Sequence, residues 1–338
     1  MKLAPAGRTL IVQPLPGIGD MVWHLPHIHA IAATTTTTGQ VDILTKPRSQ
    51  ADRLLCADPC VDRVLWVERD SGHHAGIRGI FRLAALVRQR TYQRVWILHG
   101  SARYALAAWL AGVPERIGYG VGGQPWWLNV PVRLPVECRH AHPTVRADAL
   151  LDLLDVPRME PEPRLPVLAV AEQAVVERFA DWPRPWIALG IGSSEPWKQW
   201  GAACFAKLAL ALHRQQAGSV FIIGGPGEQS LGDEILHRVR DGGGVAADAI
   251  ALPLQQTAAL LAHCRGYIGN DTGVLNMAAA LETPALGLFG GSSPLTHSRF
   301  IHVITPPVGH SGMAAITVTQ VLEAFARLDG FDETHRTA

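Results

Sequence analysis

Two kinds of residue in this chain have the type and spacing for chemistry. The first is a carboxylate in a glycine turn, Asp20 in Gly17-Ile18-Gly19-Asp20. A carboxylate at a helix start can take a proton from an acceptor hydroxyl, or can cap the helix that the spacing predicts over 21–33; both roles stay open. The second is the turn Asp271-Thr272-Gly273, between the strand end Gly266-Tyr267-Ile268 and a small-residue helix carrying Asn276 and Ala278-Ala279-Ala280. A glycine and a hydroxyl at a helix start expose unpaired N–H groups with the positive end of the helix dipole behind them. That is an anion seat, suited to the phosphates of a nucleotide.

Three more loops follow predicted strands in the same half of the chain. Gly190-Ile191-Gly192-Ser193-Ser194 precedes Trp197-Lys198-Gln199-Trp200, whose ammonium and hydroxyls suit a diphosphate. Gly224-Gly225-Pro226-Gly227-Glu228 offers a carboxylate for a ribose hydroxyl pair, and Gly290-Gly291-Ser292-Ser293-Pro294 follows the last apolar strand. Each alone is an ordinary glycine-rich turn. Ligands of open α/β sheets bind beyond the carboxyl ends of strands, so all four can share one edge.

Other chemistries find no residues. There is no G-x-x-x-x-G-K-[ST] loop, and neither Gly17-Ile18-Gly19 nor Gly190-Ile191-Gly192 completes G-x-G-x-x-G. No Asp-x-Asp pair occurs, so a divalent ion held by that pair is not expected and the predicted metal set is none. His24, His27 and His29 lack a carboxylate companion in sequence and read as a solvated or acceptor-facing helix side. Cys56 and Cys60 lack a second Cys or His pair at ligand spacing and read as a helix-end pair.

The elements that must position these residues alternate as strand and helix, the pattern of parallel α/β sheets. Strands are predicted at 9–13, 41–45, 61–67 and 94–98, with a basic amphipathic helix at 77–90 and another helix at 102–111. Pro157, Pro161, Pro163 and Pro166 make a stiff connector, after which the alternation restarts. The expected division is 1–160 and 161–338, since 338 residues exceed what one core supports. The last helix, 314–328, is free to pack back on the first domain. Net charge is +1, which does not favour nucleic acid. No apolar run approaches the ~20 residues of a bilayer span. The N-terminal residues lack a signal-peptide core, and the five scattered cysteines suit a reducing compartment, so a soluble cytoplasmic protein is expected.

Taken in order, Pro16-Gly17-Ile18-Gly19-Asp20-Met21 with Leu25-Pro26, Arg116-Ile117-Gly118-Tyr119, Lys198-Gln199-Trp200, Gly224 to Glu228, Asp271-Thr272-Gly273 and Leu288-Phe289-Gly290 resemble glycosyltransferase family 9, the bacterial heptosyltransferases of lipopolysaccharide core assembly. The resemblance covers almost the full length. It implies a GT-B fold, two Rossmann-like α/β domains facing a central cleft, and metal-independent inverting transfer from ADP-heptose with no cofactor. It makes Asp20 the catalytic base and puts Ser193, Ser194 and Lys198 at the donor diphosphate, with Lys198 also assisting catalysis. Thr272 and Gly273 join them, Asp271 contacts the donor sugar, and Glu228 lies near the ribose. Asn276 stands where the family commonly has His, and Ser292 where it commonly has Thr.

The acceptor is expected on the first domain, with Gly19, Arg78, Arg82 and Arg116 as its contacts; arginines suit a lipid-linked, phosphorylated glycan. A solvated arginine face explains the same residues. Trp126 and Trp127 suit peripheral contact with the inner membrane, or core packing. The alternative function is a family 9 transferase with another nucleotide-sugar donor and a different surface-glycan or small-molecule acceptor. A nucleotide-sugar 2-epimerase shares the architecture without this pairing of turns, and a silent nucleotide-binding module shares the turns without turnover.

Overall fold

The computed structural model describes residues 3–36, 39–69, 71–215, 218–294 and 298–335, with side chains as far as 328. Thr37 and Thr38 of the five-threonine run lie outside the described residues. The chain divides into two compact units, Met1–Arg164 and Leu165–Ala338, at the proline connector.

The first unit is built on five parallel strands: β1 (Thr9–Val12), β2 (Val41–Thr45), β3 (Val61–Trp66), β4 (Arg94–Ile97) and β5 (Glu115–Gly118). Their order is β3-β2-β1-β4-β5. The central strands are buried at every residue, as parallel strands covered on both faces must be. The chain winds outward from β1 to β3 and then returns to β4, so the switch point lies between β1 and β4.

Among the described residues, six α-helices accompany this sheet: α1 (Ile18–Trp23), α2 (Leu25–Ala32), α3 (Ala51–Leu54), α4 (Gly76–Arg88), α5 (Ala102–Leu110) and α6 (Pro143–Leu153). One helix was expected over 21–33, and the structure has two, broken at His24. Pro26 has no N–H to return to Val22, so the ladder fails there. Leu83, Ala84 and Val87 of α4 pack with Ala105, Ala107 and Ala108 of α5 in the core over Leu10, Val12 and Ile97. Ile77 and Phe81 of the same helix are left exposed.

The second unit repeats the plan with six parallel strands: β6 (Trp186–Gly190), β7 (Ser219–Gly224), β8 (Ala247–Ile250), β9 (Cys264–Asn270), β10 (Ala285–Leu288) and β11 (Ile301–Ile304). The order β11-β10-β9-β6-β7-β8 puts its switch point between β6 and β9. Its helices are α7 (Ala169–Arg178), α8 (Ala202–Arg214), α9 (Gln229–Asp241), α10 (Leu254–Ala262), α11 (Gly273–Ala280) and α12 (Val318–His335). Phe205, Leu208 and Leu212 of α8 are fully buried on β6 and β7. Each such side chain contributes about 1.5–3 kcal/mol. α12 adds Val321, Phe325 and Leu328 to this same core.

Candidate functional site

Each sheet presents chemistry at its switch point. In the first unit, β1 runs through the buried Gln13 to Gly17, the residue that opens α1. Asp20 is the third residue of α1, not the residue before it. Its Oδ2 accepts the Gly17 N–H at 2.9 Å, so the carboxylate closes the helix start from inside. Burial raises its pKa above the ordinary 3.8, against the opposing pull of the Gly17 N–H and of His142. That shift suits a group that must hold and release a proton.

The break after α1 frees the Asp20 carbonyl, because the His24 N–H turns back three residues to Met21 O at 3.1 Å. Two buried side chains take it instead. His24 Nδ1 lies 2.7 Å from Asp20 O and Gln13 Nε2 donates to it at 3.2 Å. Burial first, and then the neighbouring His27, lower the His24 pKa to about 3, so the ring is neutral and Nδ1 carries its proton. His27 is also buried, its Nε2 2.9 Å from Asp148 Oδ1, and Arg158 completes the group at 3.2 Å from Asp148. Burial works to raise Asp148, but His27 and Arg158 outweigh it and hold the carboxyl below its ordinary range. The solvated helix side expected for His24 and His27 is therefore corrected. Both rings are interior supports for α1 and α2.

The predicted acceptor residues divide. Gly19 is buried in α1, while Arg78 and Arg82 lie on the exposed side of α4, where Arg82 donates to His73 O at 2.8 Å. Among the described hydrogen bonds and ion pairs, none joins Arg78 or Arg82 to Asp20. Arg116 donates to Trp127 O and Val113 O, both at 2.6 Å, which ties β5 to the following loop. Sequence reasoning passed over a cavity of about 510 Å³ beyond β5, lined by Gly120, Val121, Gly122, Pro125, Trp126, Arg133 and Arg139. Its two arginines are scattered along an irregular segment with no periodicity to reveal them.

In the second unit Asp271 and Thr272 leave β9 at the switch point, and Thr272 precedes the first helical residue, Gly273. Asp271 Oδ2 gathers Lys198 Nζ at 3.2 Å and the Ser292 hydroxyl at 2.7 Å. The ammonium is also 3.5 Å from Glu195 Oε2. Burial alone would lower Lys198, yet Asp271 and Glu195 outweigh it and raise its pKa, so the lysine is charged. Ser193 turns its hydroxyl onto Glu195 O at 2.7 Å, and Ser194 is exposed beside it. Glu228 accepts the Gly225 N–H at 2.7 Å, and its carboxylate faces Gly192 across the loop ends. Asn276 is buried on α11, and its Oδ1 has no partner among the described residues.

Asn270 holds the loops together, a role its sequence position did not reveal. Its Nδ2 donates to Ile191 O at 3.1 Å, Gly192 O at 3.0 Å and Gln199 Oε1 at 3.0 Å, while its Oδ1 accepts the Trp200 N–H at 3.3 Å. The loop after β6 is thus tied at four points to the end of β9. Gly190 and Gly269 stand here for a steric reason. A Cβ at either would meet the Tyr267 hydroxyl, at 1.9 and 2.2 Å. The result is a cation, hydroxyls and a helix N-terminus on one sheet edge, the equipment to hold a diphosphate and absorb charge as it leaves.

Two Rossmann-like parallel sheets with this seat at one switch point define a nucleotide-sugar transferase of the GT-B type. The family model for glycosyltransferase family 9 (heptosyltransferase) matches residues 80–328, and the chain belongs to that family. Lipopolysaccharide heptosyltransferase 2 of Salmonella typhimurium is 26% identical over 248 residues, 70% of this chain and 69% of the other. Among solved structures, the ADP-heptose lps heptosyltransferase II of E. coli matches with a TM-score of 0.76 at 24% identity, over 96% of this chain and 99% of that one. A family 9 glycosyl transferase from Veillonella parvula matches with a TM-score of 0.80 at 19% identity, over 97% and 98%. Among the described residues, no helix is long and apolar enough to cross a membrane.

Proposed function

We propose that this glycosyltransferase moves heptose from ADP-heptose onto a lipopolysaccharide core acceptor by a single inverting displacement. The observation that carries the reading is the Lys198–Asp271–Ser292 group at the N-terminus of α11, on the switch point of a family 9 second sheet. Asp20 removes the proton from the acceptor hydroxyl, and the oxygen attacks the anomeric carbon opposite the diphosphate. The C–O bond to the diphosphate breaks, and Lys198 with the N–H groups near Thr272 takes up its charge. The ammonium and the helix end supply positive charge where a metal ion would otherwise be needed. Ser193 and Ser194 flank the diphosphate, Asp271 meets the donor sugar and Glu228 the ribose.

The relatives' names, lipopolysaccharide heptosyltransferase 2 and ADP-heptose lps heptosyltransferase II, support this donor and acceptor. Arg133 and Arg139, in the cavity beyond β5, suit a phosphorylated acceptor better than Arg116, whose Nε and Nη1 already donate to backbone carbonyls. Peripheral contact with the cytoplasmic face of the inner membrane rests on α4, where Ile77 and Phe81 are 75% and 59% exposed beside Arg78 and Arg82. A second reading, the same chemistry with another donor, is favoured by Asn276, which lacks the charge a histidine would bring to α11.

Thermal shifts with ADP, UDP, GDP and dTDP sugars separate the two readings. Selective stabilisation by the adenine nucleotide sugar is expected. Selective stabilisation by a uridine, guanosine or thymidine sugar would replace the heptosyl reading with the second.

A further inference from the structure

The loop between α3 and β3 seals the first sheet at its amino edge. The Val41 N–H donates to Cys60 O at 2.8 Å, and Asp58 Oδ1 accepts the Cys60 N–H at 2.9 Å, so Asp58-Pro59-Cys60 is fixed beside β2. α2 descends from the carboxyl edge and delivers His29 to the same place, with Nε2 2.8 Å from Asp58 Oδ2. The imidazole nitrogen, the carboxylate oxygen and the Cys60 sulfur all lie within 4.8 Å of one another. The Asp58 side chain is 1% exposed, whereas that of His29 is 28% exposed and opens the group to solution on one side. Cys60 does not work with Cys56, the partner its sequence spacing suggested; Cys56 turns its thiol to Arg53 O at 3.2 Å.

We propose that His29, Asp58 and Cys60 form a zinc site, with water in the fourth position, that pins α2 to the amino edge of the first sheet. The donor set decides the metal class. A thiolate with an imidazole and a carboxylate selects a borderline-soft ion such as Zn²⁺ over Mg²⁺ or Ca²⁺, which prefer oxygen alone. Bonds of about 2.0–2.3 Å in a tetrahedron set ligand atoms about 3.3–3.8 Å apart. The His29–Asp58 contact, at 2.8 Å, has to open slightly to admit the ion, a movement within reach of side-chain rotation. On binding, the Cys60 thiol gives its proton to solvent and the sulfur bonds to the metal, with no change of oxidation state. The site is structural. It lies at the amino ends of strands whose carboxyl ends carry Asp20, and four residues of β1 alone span about 13 Å.

Cobalt titration of the reduced full-length protein tests the site. One equivalent should bind with thiolate-to-cobalt charge-transfer absorption that zinc abolishes by competition. Cys56→Ser should keep the band and Cys60→Ser should lose it. His29→Gln should weaken metal affinity by about tenfold or more, with circular dichroism confirming that each variant is folded. Zinc should raise the melting temperature of the native protein and of Cys56→Ser. No charge-transfer band in the native protein overturns the proposal. So does a band that survives in Cys60→Ser, or one indifferent to His29→Gln.

Discussion

A carboxylate partly withdrawn from water ionises later than a free one when the loss of hydration outweighs the backbone N–H it accepts. Asp20 is in this position, and its pKa is raised by burial. As the base proposed for transfer, it would work only when ionised. The acid limb of kcat/KM should therefore have its midpoint above the ordinary 3.8, with activity falling as pH drops through it. The same shift has a consequence for stability. A carboxyl whose folded pKa is raised favours the fold below its unfolded pKa, and that contribution is lost as pH rises through the folded pKa. Asp20→Asn should accordingly melt no lower than the native protein at neutral pH, and a clear drop would mean that the charge supports the fold. Gly17 gives a finer probe. A Cβ there would stand 2.8 Å from Asp20 Oδ2. Gly17→Ala should move the carboxylate, leave stability nearly unchanged and lower kcat by up to about 100-fold; full activity would show that the carboxylate position is not critical.

At the scale of elements, the break between α1 and α2 and the clasp between β6 and β9 do the positioning. The sequence reads as one helix through Pro26, and the effect of the break there, an Asp20 carbonyl handed to His24 and Gln13, depends on the segment after β1 reaching α1. Asn270 is a similar case. Nothing in Gly269-Asn270-Asp271 says that its side chain reaches the loop after β6, because that contact is set by strand order. Replacing Asn270 by Ala strands buried groups of that loop, at a cost of about 1–3 kcal/mol in chemical denaturation. A smaller loss would show that the clasp is dispensable. Lys198→Ala should weaken donor diphosphate affinity as well as slow turnover, as calorimetry with the nucleotide sugar would show; unchanged affinity would remove Lys198 from the diphosphate. What local pattern does reveal is the turn chemistry itself. Gly17 to Asp20 and Asp271 to Gly273 carry their helix starts in their own residues.

Across the whole molecule, the alternation of apolar strands and amphipathic helices announced two parallel sheets, and the proline run contains the division after Arg164. Long-range pairing was less legible. The order of strands, the burial of His24 and His27, and the meeting of His29 with Cys60 all follow from the tertiary path rather than from any window of sequence. The proposed heptosyl transfer needs two chemistries, for which the candidates are Asp20 after β1 and the Lys198–Asp271–Ser292 group after β9. Its most direct test is single-turnover transfer from ADP-heptose by Asp20→Asn, with donor affinity measured on the same preparation. The account predicts transfer slowed by about 10²–10⁴-fold with donor affinity unchanged. Transfer at the native rate, or donor affinity lost in step with transfer, would contradict it.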